Sequence, residues 1–205
     1  MKCITLSIES LNRKIRNWAR KISSEYSPDM IIYVAKAGFL IGKGFSETME
    51  CPMIGVETVR EKGNGLKSKI APLIGKLPLF VRNVLIAIEL KSGVHKKNDY
   101  RRVDMLDKIS QLEADKINKI LVVDDSIDTG NSILAVKNYI STIFRNAEIR
   151  VAGLNVWDMS KEKVFTDYAL YKNTIIKAPM SKDSKEYDVF MKMYNNYRNN
   201  QKEEN

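Results

Sequence analysis

Residues 124–132 read Asp124-Asp125-Ser126-Ile127-Asp128-Thr129-Gly130-Asn131-Ser132, which sets three carboxylates and three hydroxyls around a single glycine. Glycine at 130 admits positive φ and lets backbone N–H groups come close to an anion, while Thr129 and Ser132 add hydroxyl donors to the same concavity. Carboxylates beside such a cradle would repel a phosphate. They are accounted for if they handle hydroxyls, a divalent cation or a proton.

The elements that must position these groups are legible on either side. Ile120-Leu121-Val122-Val123 is a run of branched apolar residues, as expected of a central parallel strand covered on both faces. Ile133, Leu134, Val136, Tyr139 and Ile140 then recur at helical spacing. The loop therefore lies at a strand's carboxyl end and a helix's start, where open α/β sheets bind ligands and where unpaired N–H groups favour phosphate. An ordinary strand and turn, with Asp124 or Asp125 capping the helix, explains one acid and leaves the rest of the loop without a role.

A second unit of the same kind precedes it. Met30-Ile31-Ile32-Tyr33-Val34-Ala35 reads as a buried strand, Lys36-Ala37-Gly38 as a turn, and Phe39, Leu40, Gly42, Phe45 and Met49 as a helix. Upstream, Ile8, Leu11, Ile15, Trp18, Ala19 and Ile22 predict an amphipathic helix capped by Ser7 or Ser10. Residues 53–59 alternate as a third strand, 148–157 and 174–178 read as later strands, and 187–197 as a terminal helix before a disordered polar tail. The fold class expected is α/β, a Rossmann-like parallel sheet flanked by helices.

A chain of 205 residues is enough for one such domain, and 44% hydrophobic with 29% charged residues is the composition of a soluble globular protein. No apolar run approaches the ~18 residues of a membrane helix, so no membrane partner is expected. Cys3 and Cys51 are too few for a disulfide framework, and the start of the chain has no signal-peptide pattern, so a cytoplasmic, reduced protein is expected. The net charge is +9, and residues 60–102 carry eleven Lys or Arg against three acids. Such a block suits nucleic acid or a highly anionic small substrate equally well.

Residues 120–132 resemble the phosphoribosyl-pyrophosphate (PRPP) motif of type I phosphoribosyltransferases at all thirteen positions. Hypoxanthine-guanine and xanthine members are the nearest in motif. The resemblance implies that Asp124 and Asp125 hold the ribose hydroxyls with Mg²⁺ nearby, and that Ser126 and the loop Asp128, Thr129, Gly130, Asn131 and Ser132 wrap the 5′-phosphate. Asp128 resembles the acid placed near a purine N7 as proton acceptor. Lys36-Ala37-Gly38 resembles the family's pyrophosphate loop, with alanine in place of its first glycine and, by the same resemblance, a cis peptide before Lys36. Lys36 would take the charge that builds on the departing group.

Ile127, Trp157, Asp167 and Tyr168 are the base-pocket residues the resemblance implies. Residues 163–168 are similar to the family's Lys-Pro-Asp-Tyr region, and Trp157 stands where 6-oxopurine members carry a lysine. The polar, glycine-rich residues 60–67 match the place of the family's mobile loop, or form an ordinary surface turn. Residues 68–112 exceed the family pattern and read as an inserted helical subdomain, with a helix through Val103, Leu106, Ile109 and Leu112. His95, the one histidine, fits a surface position there.

The activity implied is Mg²⁺-dependent transfer of a phosphoribosyl group from PRPP to a nitrogenous base, by a homodimer. One rival is a non-catalytic PRPP-binding regulator whose basic segment contacts nucleic acid. Another is a different nucleotide-binding α/β protein, against which neither Gly-x-Gly-x-x-Gly nor Gly-x-x-x-x-Gly-Lys-Ser/Thr occurs.

Overall fold

The computed structural model describes residues 2–60 and 101–203. Strands β1 (Lys2–Thr5), β2 (Met30–Val34), β3 (Met53–Arg60), β4 (Arg101–Met105), β5 (Lys119–Ile127), β6 (Glu148–Val156), β7 (Tyr168–Lys172) and β8 (Thr174–Lys177) form two sheets. The larger has the order β4-β3-β2-β5-β6-β7, and β1 with β8 makes the smaller. The β2–β3, β2–β5, β5–β6 and β6–β7 pairs are all parallel.

The apolar runs are buried on both faces, as expected. Along β2 and β5, Ile31, Tyr33, Leu121 and Val123 enter one core, and Met30, Ile32, Val34, Ile120 and Val122 enter the other. Period-two alternation thus divides each run between two layers. Helices α1 (Ile8–Ser23), α2 (Phe39–Met49) and α4 (Tyr187–Glu203) contribute to the first core, and α3 (Asn131–Ile143) to the second. Ser7 caps α1 through a reciprocal capping box with Ser10, and Leu11, Ile15, Trp18, Ala19 and Ile22 are its buried face.

Several expectations need correction. β5 does not stop at Val123 but runs through the acids to Ile127, because Asp124, Ser126 and Ile127 stay in register with Gly153, Asn155 and Val156. The helix expected through Val103, Leu106, Ile109 and Leu112 is instead β4 followed by one helical turn, Gln111–Ala114. There Leu106 N–H donates to the Gly55 carbonyl at 2.8 Å and the Asp107 carboxylate accepts Gly55 N–H at 2.7 Å. Those bonds hold the segment to β3. The polar tail continues α4 as far as Glu203 rather than being disordered.

The chain divides into two compact units, one of Met1–Thr58 with Val103–Asn205, the other of Val59–Arg102. The helical stretches expected over residues 70–90, the linker with His95 and most of the glycine-rich loop lie outside the described residues. Among the described residues no helix is long and apolar enough to cross a membrane.

Candidate functional site

The end of β5 delivers the acids. Asp124 is 7% exposed, and its Oδ1 accepts the Asp125 N–H at 2.9 Å. Burial, and next the charge of Asp125, hold the Asp124 carboxyl well above the ordinary carboxylate range, and burial likewise raises Asp125. Two desolvated like charges at a strand end are stabilised by donors or a cation that water does not supply there. Hydroxyl groups or a divalent ion would serve.

The turn after β5 is shaped by Gly130, whose φ is +78° and which caps α3. A Cβ at that position would lie 2.7 Å from Val164 Cγ1 and 3.2 Å from the Ser160 carbonyl oxygen, so packing reinforces the conformational need for glycine. Ser126 Oγ donates to Asp128 Oδ1 at 2.6 Å, tethering that exposed carboxylate beside the strand end. Asn131 is buried and accepts from Lys163 Nζ at 2.6 Å, while Thr129 is exposed and Ser132 half-buried. A cluster from Asp124 to Ser132 thus assembles as expected, apart from Ile127. That side chain is 1% exposed and packs in the second core.

Lys36-Ala37-Gly38 lies at the end of the neighbouring strand, and the Ala35–Lys36 peptide is cis, as the resemblance implies. Ala35 N–H donates to the Val56 carbonyl at 2.8 Å and Gly38 N–H to the Val34 carbonyl at 2.9 Å. Lys36 is exposed, and Ala37 packs against the first core. Gly38 is needed for close approach, since a Cβ there would sit 2.6 Å from the Val34 carbonyl oxygen and 3.0 Å from that of Val123. Backbone oxygens of two central strands cannot retreat as a side chain would. Gly38→Ala is accordingly expected to lower stability by about 2 kcal/mol in chemical denaturation. An unchanged midpoint would mean that the turn has room to shift.

A cleft of about 240 Å³ opens beside the acids. It is lined by Asp125, Ser126 and Asp128, by Asn155 and Trp157 at the end of β6, and by Ile175 and Ile176 of β8. The Trp157 backbone N–H donates to the Ile127 carbonyl at 3.0 Å, and Trp157 and Asp128 line the same cavity.

Asp167 and Tyr168 are not brought there. Asp167 Oδ2 accepts the Val151 N–H at 2.8 Å and Tyr168 Oη accepts from Arg150 Nη1 at 2.8 Å. In the β6–β7 register Tyr168 lies opposite Ala152, four residues before the Val156–Lys172 pair, roughly 13 Å away at the strand rise. Their bonds serve β6 and leave the pocket to β8. Asn155, Ile175 and Ile176 were not singled out in the sequence, although an asparagine between Leu154 and Val156 in a buried strand is a signal that could have drawn notice.

Among the described residues, no three His, Cys, Asp or Glu side chains cluster as a metal cage. Asp124 and Asp125 suit Mg²⁺ in the manner of sites that supply one or two carboxylates and take other ligands from a phosphorylated substrate.

Residues 6–154 match the family model described as the phosphoribosyl transferase domain. The chain belongs to that family. It is an enzyme of the phosphoribosyltransferase class. No curated protein matches it.

Solved structures share the fold at low identity. A purine phosphoribosyltransferase from Pyrococcus horikoshii Ot3 is similar at 19% identity and TM-score 0.57, over 90% of this chain and 97% of that one. The Helicobacter pylori xanthine-guanine-hypoxanthine phosphoribosyltransferase is similar at 15% identity and TM-score 0.61, covering 91% of this chain and 99% of that one. A hypothetical protein from Neisseria gonorrhoeae with bound ppGpp is similar at 15% identity and TM-score 0.59, over 95% and 96% of the two chains.

Proposed function

We propose that the enzyme transfers the phosphoribosyl group of PRPP to a purine-like nitrogenous base, with Mg²⁺ bound and pyrophosphate released. The observation that carries this reading is buried Asp124 with half-buried Asp125 near the end of β5, followed by the Gly130 turn into α3 and opening on the cleft with Trp157. Asp124 and Asp125 accept from the ribose hydroxyls and hold Mg²⁺, which when bound neutralises the diphosphate. Backbone N–H groups and hydroxyls of residues 128–132 bind the 5′-phosphate, with the start of α3 adding its dipole. Lys36 and the turn after β2 take up charge as the C1–oxygen bond to diphosphate breaks. Such a reaction needs positioning and charge stabilisation rather than a covalent nucleophile.

Asp128 is the base in this reading. Ser126 orients its carboxylate toward the cleft it shares with Trp157, where an acceptor losing a ring proton would lie. A PRPP-dependent pyrophosphate-release screen over adenine, guanine, hypoxanthine, xanthine and orotate tests the activity. For the base that turns over, Asp128→Asn is expected to lower kcat about 100-fold or more and to change the PRPP dissociation constant about twofold at most. Equal losses in both would assign Asp128 to PRPP binding instead.

A further inference from the structure

Asn155 is 4% exposed, flanked in β6 by Leu154 and Val156. Its Nδ2 donates to the Thr174 carbonyl at 2.8 Å and its Oδ1 accepts the Thr174 N–H at 3.2 Å. The side chain thus reproduces the two-bond exchange of paired strands, and it does so between the six-stranded sheet and β8 of the two-stranded one.

A second amide acts one residue earlier. Asn173, at φ +48°, donates from Nδ2 to Asp158 Oδ2 at 2.7 Å and accepts the Asp158 N–H at 3.0 Å through Oδ1. Its own N–H donates to the Val156 carbonyl at 3.1 Å. The corner Asn173-Thr174 is therefore fastened to the end of β6 by directional bonds from both side chains. Burying an amide is unfavourable unless it is paired, and here the pairing specifies where β8 begins. An apolar residue at 155 would fill the same space without fixing that position.

Ile175 and Ile176, which follow the corner, line the same cleft as Trp157 and Asp128. We propose that Asn155 is a positioning residue for the acceptor. By holding the Thr174 main chain it sets where Ile175 and Ile176 stand relative to Trp157 and Asp128, and so the room the cleft leaves for the acceptor ring. This rests on the reading that the cleft takes the acceptor base. In that reading PRPP is held by groups of β5 and the start of α3, none of which takes part in the Asn155–Thr174 bonds.

Asn155→Leu removes both bonds at similar volume, and Asn155→Asp keeps an acceptor for the Thr174 N–H while repelling the Thr174 carbonyl. With the base that wild type uses, Asn155→Leu is expected to raise the acceptor KM about tenfold with the PRPP dissociation constant held within about twofold, and Asn155→Asp to fall between. A purely structural role would lower the melting temperature without that split. An unchanged acceptor KM, or a parallel loss of PRPP affinity, overturns the proposal.

Should wild type turn over none of adenine, guanine, hypoxanthine or xanthine, the acceptor reading fails by itself. The cleft is then read without substrate, by acrylamide quenching of Trp157 in a Trp18→Phe background. A quenching constant that rises about twofold in Asn155→Leu supports the positioning role, and an unchanged one overturns it. If Asn155→Leu does not fold, Asn155→Asp carries both measurements.

Discussion

Replacing Asp124 and Asp125 together by asparagine is expected to weaken PRPP binding by about 100-fold or more in a protein that remains folded. The acids end a strand whose pairing with β6 uses the main chain, so the fold does not depend on their charge. Ligand hydroxyls and Mg²⁺ do depend on it, since an amide is a weaker acceptor and no cation ligand of comparable strength. The unliganded variant should also be more stable at neutral pH, by on the order of 1 kcal/mol. Burial and the neighbouring charge raise the folded-state value of Asp124, so the native state holds this proton more tightly than the unfolded chain. The ionised carboxylate therefore weakens the fold above the ordinary carboxylate range. That weakening disappears as pH falls below the unfolded value, and the gain in the variant should shrink with it. Calorimetric titration with PRPP and Mg²⁺, beside melting curves at neutral and acid pH, measures both effects. Unaltered PRPP affinity would remove the pair from the binding site.

Arg198→Ala is expected to destabilise the fold by about 3–5 kcal/mol. The Arg198 side chain, on α4, is 12% exposed and pairs with Asp107, which is 5% exposed. Asp107 also accepts Gly55 N–H, and Arg198 also donates to the Leu106 carbonyl. The pair joins the last helix, the segment after β4 and the middle of β3. Removing the guanidinium leaves a buried carboxylate without its cation, a far larger penalty than the loss of an exposed pair. Asp107→Asn combined with Arg198→Met should recover much of the loss, because no unpaired charge remains. Urea denaturation of the two single variants and the double variant gives the coupling. A loss under about 1 kcal/mol for Arg198→Ala would mean that water reaches the pair.

Both predictions concern charge out of water, yet only the first site was visible along the chain. Asp124 to Ser132 are contiguous, and their chemistry follows from residue type once a strand precedes them and a helix follows. The burial of Ile120 to Val123 and the helical spacing after Ser132 are likewise local properties, governed by the periods of strand and helix. Gly38 could be placed at a turn for the same reason. That it faces the carbonyl oxygens of Val34 and Val123 depends on β2 lying beside β5.

The cleft and the latch at Asp107 depend on partners far apart in the chain. Val103, Leu106 and Ile109 fit a helical period, but the Leu106 N–H donating to the Gly55 carbonyl and the Gly55 N–H donating to Asp107 draw the segment to β3. β1 and β8 are four-residue strands from opposite ends of the chain, too short to be stable before they meet. Asp167 and Tyr168 matched a familiar segment, yet the β6–β7 register sets them toward the other end of the strands and leaves Thr174 to Ile176 to complete the cleft. Residue type and neighbouring period therefore decide where PRPP chemistry can occur. Strand register and the bonds of Asn155 and Asn173 decide which residues line the cleft, because those bonds form only once segments without local preference for one another are packed together.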